Sequence, residues 1–211
     1  MKNKLRNLKN IKSLLIATNN KGKLSEIKKL LPKHIIFYSP KDFNLIEPIE
    51  NEKTFEGNAA IKARYCAEKS KLISLSDDSG LEILTLNKAP GIYSARWAGK
   101  NKDFKIAIKK VYSKLKKKKK LNKNNNARFY CSLAIAFPNG TYKTFSGTVN
   151  GKISSIPKGD NGFGYDPIFI PKGYKKTFGE MKANVKDKIS HRYKAFNKIK
   201  RYFKYKIYGK Y

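Results

Sequence analysis

Residues 13–31, SLLIATNNKGKLSEIKKLL, decide the class of fold. Ser13 to Thr18 is an apolar run of strand length, Asn19-Asn20-Lys21-Gly22 is turn chemistry, and Lys23 to Leu31 has a helical pattern that Pro32 ends. A buried strand, a loop and a helix in that order open an α/β domain. Outward from there, His34 to Tyr38 predicts a second strand and Ser39 to Lys53 a proline-containing loop rich in acids. Thr54 is placed to cap the next helix, and Gly57 at its third position leaves no capping box. Ala59, Ala63, Cys66 and Ala67 give that helix a small-residue face for close packing. Leu72 to Ser76 predicts a strand, broken by Asp77-Asp78-Ser79-Gly80 and resumed from Leu81 to Leu86.

The later part is richer in strand. Asp103 to Lys114 predicts a helix, and residues 116–126, KKKKKLNKNNN, a solvated low-complexity loop. Ala127 to Phe137 and Thr141 to Asn150, joined by Pro138-Asn139-Gly140, predict a hairpin. A glycine-rich loop follows at Gly159 to Asp166, and a helix from about Ser190 to Lys204 closes the pattern. The expectation is one domain over residues 12–205, with a basic extension at 1–11 and the lysine-rich loop inside the domain.

With 211 residues and 40% hydrophobic content, the chain is long enough for one well-buried core. Its longest apolar stretch, Cys131 to Phe137, is far short of the roughly 20 residues a membrane span needs. Leu14 to Ala17 is too brief for a signal sequence, so no export or anchor is expected and the cytoplasm is the expected compartment. Cys66 and Cys131 form no disulfide framework or metal-like spacing. The charge, 48 Lys+Arg against 15 Asp+Glu, suggests nucleic acid at first sight, but only six of the 48 are arginine. A lysine excess accompanied by Asn, Ile, Tyr and Phe is codon bias spread over solvated faces, and no specific nucleic acid partner is expected. The acids say more. Eight of the 15 lie within the 36 residues from Glu47 to Glu82, where an even spread would put about two or three, which points to a metal or acid/base site.

Five groups of residues carry candidate chemistry. Thr18, Asn19, Asn20, Lys21, Gly22 and Lys23 lie between a strand and a helix, where free amides and the helix dipole attract anions, although the spacing is not that of a Walker A loop. Asp77 and Asp78 are adjacent carboxylates that repel unless a cation, a proton or hydrogen bonds compensate, and Mg²⁺ is the economical cation. Asp78 is favoured for function, with Asp77 left open between function and a turn. Asn58 and Lys62, four residues apart, share a helix face that could point into a cleft. Finally, Phe163, Gly164, Tyr165 and Asp166 could present an aromatic face to a nucleobase, and Lys186, Ser190, His191 and Arg192 group titratable side chains around an N-cap serine. His34 is left structural.

Six segments, IATNNKGKLSEI, TFEGNAAIKA, SDDSGLEI, APGIYSARWAG, GFGYDPIF and ISHR, together and in this order resemble the inosine/xanthosine triphosphate pyrophosphatase family, from Leu14 to about Phe203. That family removes deaminated purine nucleotides from the precursor pool. The resemblance implies Mg²⁺-dependent hydrolysis of ITP, dITP and XTP to the monophosphate and pyrophosphate. Thr18 to Lys23 would hold the triphosphate, Asp78 would bind Mg²⁺ and act as base, and Ser79 would contact substrate. Phe163 to Asp166, Lys186, His191 and Arg192 would bind the nucleoside. Gly57 stands where some members carry a second acid, which leaves Glu50, named first, and Glu56 as the candidates to join Asp78 at the metal. Lys62 joins Asp78 as a catalytic residue by offsetting charge on the reacting phosphates. The fold implied is α/β, a long twisted mixed sheet flanked by helices, with two lobes around a central groove, and a homodimer. A donor from His191 or Arg192 aimed at a 6-oxo group would accept hypoxanthine and xanthine and reject adenine.

Overall fold

The structure is a computed structural model that describes residue 8, residues 11–120 and residues 125–203. Most of the expected basic extension, residues 121–124 of the lysine-rich loop, and the end expected for the last helix beyond Phe203 lie outside the described residues. Among the described residues six strands form one mixed sheet: β1 (Ser13–Ala17), β2 (Ile36–Tyr38), β3 (Ser74–Ile83), β4 (Asn125–Ala136), β5 (Tyr142–Ile153) and β6 (Phe169–Pro171), in the order β2-β1-β3-β4-β5-β6. β1 runs parallel to both β2 and β3, whereas the β3–β4, β4–β5 and β5–β6 pairs are antiparallel. The helices are α1 (Lys21–Leu30), α2 (Phe55–Ser70), α3 (Phe104–Lys117), α4 (Ala183–Ile189) and α5 (His191–Phe203).

Local chemistry sets the helix starts. The Asn20 side chain caps α1 by accepting from the Lys23 amide, Thr54 caps α2 through the Gly57 amide, and Asp103 caps α3 through the Lys105 amide. Ser190 accepts from the Tyr193 amide at the head of α5, as its position in the sequence suggested. The alanine face of α2 packs as expected, with Ala59, Ala63 and Ala67 against Ala134 and Ala136 of β4. On the opposite face of the sheet α5 approaches β5 so closely that a Cβ on Gly147 would lie 2.2 Å from the His191 carbonyl oxygen and 2.3 Å from the Ala195 nitrogen. One apolar cluster joins α1 and α5 to β1 and the adjoining ends of β3 and β4 through Ile16, Ile27, Leu75, Leu133 and Phe196. A second joins α3 to the other end of the sheet through Leu81, Val111, Phe129, Phe169 and Phe178. These are the cores of the two lobes.

The structure differs from the sequence reading in four places. β3 does not break at Asp77-Asp78-Ser79-Gly80 but runs unbroken for ten residues, nine of them buried. Asp and Gly disfavour strands locally, but packing overrides that tendency here. Each aspartate has buried partners, and a Cβ on Gly80 would meet the Gly91 carbonyl oxygen at 2.3 Å and Ser94 Oγ at 2.4 Å. Leu84 to Leu86 is a 3₁₀ turn, not strand. Lys21 and Gly22 belong to α1, because the cap falls on Asn20. The lysine-rich segment is a shorter loop than expected, since Lys116 and Lys117 finish α3 and Asn125 and Asn126 begin β4.

Overpacking at the β5–α5 contact gives a direct test of this architecture. Gly147→Ala should lower the free energy of unfolding by about 3 kcal/mol in urea denaturation, because the nearest atoms in its way are backbone.

Candidate functional site

β1 stops at Ala17, where it pairs with Ser76, while β3 continues to Ile83 with no strand among the described residues beside it on that edge. Both faces of β3 are therefore reachable from the space beyond the carboxyl end of β1, the usual place for a ligand in an open sheet. A groove of about 420 Å³ occupies this space. The loop after β1 and the head of α1 bring Thr18, Asn20 and Lys23 to it, α2 brings Lys62, and β3 brings Asp78 and Ser79. The acidic loop before α2 contributes Glu47 and Glu50, and the far wall is formed by Phe163 to Asp166, Lys186, His191 and Arg192.

The two adjacent aspartates do not oppose each other, because alternation along a strand sends them to opposite faces of the sheet. Asp77, fully buried, faces α1 and α5, where its carboxylate meets Lys23 Nζ at 2.6 Å and Arg192 Nε at 3.1 Å. It also accepts from Ser79 Oγ and Cys131 Sγ, both at 3.1 Å. Burial alone would raise its pKa, but Arg192 and Lys23 hold the carboxyl well below the usual range. Asp78 faces α2 and has a weaker partner, Lys62 Nζ at 3.6 Å from Oδ1, while its Oδ2 is buried without a hydrogen-bond partner. Burial raises its pKa to about 6, against the pull of Lys62 and Lys23. Lys62 is also paired with Glu50. Burial would discharge Lys62, yet Asp78 and Glu50 together keep its pKa raised.

Glu50 and Asp78 thus share one lysine at the groove, whereas Glu56 points away and accepts from Tyr130 and Ser146. Among the described residues no three His, Cys, Asp or Glu converge to cage a metal. Two carboxylates, one with an unspent buried oxygen, nevertheless fit a hard divalent cation that takes its remaining ligands from water and substrate phosphate.

At the other end, the single acid of α1, Glu26, accepts from Arg192 and from Lys186 Nζ at 2.9 Å. Burial opposes its ionisation, but Arg192 and Lys186 hold its pKa low. Lys186 also meets Asp166 Oδ2 at 2.5 Å, and the same oxygen accepts from the Phe163 amide at 2.8 Å. The Phe163 ring lies against Gly22, where a Cβ would come within 2.7 Å of it, with Lys186 Nζ 4.9 Å from the ring centre. Arg192 spends Nε on Asp77, one terminal nitrogen on Glu26 and the other on Ser79 Oγ at 3.1 Å. His191 stacks on Phe129 with ring centres 4.8 Å apart, and its Nδ1 has no partner. Burial, aided by Arg192, drives its pKa well below the usual value and keeps the imidazole neutral.

The Ham1 family model matches residues 14–202. The chain belongs to the Ham1 family. It is 46% identical over 187 residues to a dITP/XTP pyrophosphatase of Caulobacter vibrioides, covering 89% of this chain and 95% of that one. With the dITP/XTP pyrophosphatase of Bacillus subtilis the figures are 44% over 191 residues, 90% and 96%. Among solved structures, a HAM1 protein from Coxiella burnetii superposes with a TM-score of 0.81 at 36% identity over 90% of this chain and 96% of that one. The Staphylococcus aureus Ham1 protein does so at 0.79 and 37%, over 90% and 97%. The α/β class and the mixed sheet flanked by helices expected from the sequence are therefore those of the Ham1 structures. No helix among the described residues is long and apolar enough to cross a membrane.

Most residues singled out from the sequence meet at the groove, but not all. Asn19, Lys21 and Gly22 are not among the residues lining it; Lys21 is exposed, and Gly22 makes room for Phe163. Tyr165 is 2% exposed and donates to the Ser94 carbonyl at 2.9 Å, which ties the glycine-rich loop to the turn after β3. Sequence reasoning passed over Glu26, although a lone acid three residues after Lys23 in a lysine-rich helix was a usable signal. It also passed over Arg96, which donates to the Glu50 carbonyl at 2.6 Å.

Asp78 gives this Ham1 protein a pH signature. With its folded pKa raised from 3.8 to about 6, the native state holds the proton longer than the unfolded chain. This group therefore costs stability progressively as pH rises from about 4 through 6, and fully above that window. Without divalent metal, Asp78→Asn should be more stable than the wild type at pH 7.5, by on the order of 2 kcal/mol, with the gap closing towards pH 4. Thermal denaturation of both proteins in EDTA across that range measures it.

Proposed function

We propose that this chain hydrolyses the noncanonical purine nucleoside triphosphates ITP, dITP and XTP to the monophosphate and pyrophosphate, with Mg²⁺ as cofactor. The observation that carries the reading is Asp78, whose unpartnered buried oxygen stands in a groove between a helix N-terminus and an aromatic, cationic wall. The Ham1 relatives named dITP/XTP pyrophosphatase support the same reaction class. Asp78 and Glu50 would hold the cation. Mg²⁺ held there would supply charge to offset the phosphates and to polarise the phosphoryl oxygens.

The rest belongs to the chain's own residues. Thr18, Asn20, Lys23 and the amides at the head of α1 receive the phosphates, whose charge complements the helix dipole. Asp78 accepts the proton of the water that attacks the α-phosphorus. The bond from that phosphorus to the bridging oxygen breaks, and the oxygen leaves with pyrophosphate. Lys62, buried and charged, stands beside both acids and offsets the negative charge that develops. On the far wall the Phe163 face takes the base, and Ser79 contacts the nucleotide. Arg192 has spent its guanidinium on protein partners, so the donor for the 6-oxo oxygen is assigned to the neutral His191 ring. The 6-amino group of adenine meets that donor unfavourably. A homodimer working in the cytoplasm completes the proposal.

Incubation with Mg²⁺ and, separately, ITP, XTP, GTP and ATP, resolving pyrophosphate from orthophosphate, tests it. Pyrophosphate should appear from ITP and XTP, with kcat/KM for ATP lower by about 10⁴; orthophosphate as the first product would overturn the reading. Asp78→Asn should cut kcat by about 10³. His191→Ala should lower kcat/KM for ITP by about 100-fold and leave the slow ATP rate nearly unchanged.

A further inference from the structure

The acidic loop that carries Glu50, residues 44–53, packs on the core through Leu45 at its start, but beyond that its isoleucines do not hold it, because Ile46 is 81% and Ile49 83% exposed. Polar contacts at its two walls position it instead. On one wall Arg96 donates to the Glu50 carbonyl at 2.6 Å. On the other, the Glu52 amide donates to Asn58 Oδ1 at 3.0 Å, and the Glu52 stem lies where a side chain on Gly57 would be, 2.6 Å from a Cβ built there. Asn58 is completely buried on the α2 face that also holds Lys62, and its Nδ2 has no partner. Asp78 Oδ2 and the Oγ of Ser132, the cross-strand neighbour of Asp78, are likewise unpartnered beneath α2.

From this arrangement we infer that Asn58 is a positioning residue of the divalent-cation site: by holding the Glu52 amide, it sets where the Glu50 carboxylate stands relative to Asp78. The inference rests on the reading that Asp78 and Glu50 bind the cation. Glu50 is partly exposed and meets Asp78 only through the shared Lys62, so its place depends on the loop backbone. A backbone donor two residues away, fixed to a buried helical side chain, removes the freedom that would otherwise be lost on binding. Gly57 is part of the same device, since any Cβ there pushes the Glu52 stem, and the loop with it, off α2.

Mn²⁺ alone, titrated into the nucleotide-free protein and followed by electron paramagnetic resonance, reads the site directly. Wild type should bind one Mn²⁺ and Asp78→Asn none. Asn58→Ala should bind at least tenfold more weakly. Gly57→Ala should bind severalfold more weakly with a melting temperature close to wild type, because the helix preference of alanine offsets the displacement of the Glu52 stem. That pairing separates positioning from general damage and serves if Asn58→Ala fails to fold. In turnover, the Mg²⁺ concentration for half-maximal rate should rise in both variants while kcat at saturating Mg²⁺ stays near wild type. If Asp78→Asn loses Mn²⁺ but Gly57→Ala and any folded Asn58→Ala bind within twofold of wild type, the positioning role is wrong. If wild type binds no Mn²⁺, or binds it equally after Asp78→Asn, the cation site itself is misassigned and this inference falls with it.

Discussion

The early end of β1 is the constraint on which the rest depends. Had β1 run on beside β3 past Ala17, the backbone edge of residues 77–83 would be paired and both of its faces shut. Its end leaves β3 bordered by loops. The Leu81 amide finds Ser94 Oγ, and Ile83 exchanges hydrogen bonds with Ala89 and Lys88, so the far end of this edge is satisfied without a strand to fill the groove. A sheet normally separates what lies on its two faces. At this open edge the side chains of both faces border one cavity.

That geometry explains how a chain with a net charge of +33 can bury so many cations. Lys23, Lys62, Lys186 and Arg192 are brought close together and share five carboxylates: Asp77 pairs with Lys23 and Arg192, Glu26 with Lys186 and Arg192, Asp166 with Lys186, and Asp78 and Glu50 with Lys62. A buried charge without a partner is expensive, so every one of these acids is also structural. Asp78 is the exception in degree. Its ion pair is long and one oxygen is unspent, a cost in folding that fits the cation proposed for it.

What the sequence made legible was local. The cap at Thr54, the alanine face of α2, the β4–β5 hairpin and the Ser190 cap follow from residue types at fixed spacing, and the structure has each of them. The site residues were found because their segments occur in a recognisable order. Their mutual geometry was not legible. The division of Asp77 from Asp78 depends on β3 continuing through a stretch that looks like a turn, and the packing that keeps it extended comes from Gly91 and Ser94, which lie later in the chain. Likewise, nothing near Arg192 in the sequence shows that its guanidinium is consumed by Glu26 and Asp77.

The span of those contacts has a kinetic consequence. Arg192 reaches back 166 residues to Glu26 and 115 to Asp77, and Lys186 reaches back 160 to Glu26. Such closures are entropically costly to make before the sheet that joins them exists. The groove is accordingly complete only when segments from one end of the described fold to the other are in place together, since its walls come from β1 and α1 as well as from Lys186 and Arg192. Regain of ligand binding after denaturation therefore marks the completion of the whole tertiary structure, not of any one lobe.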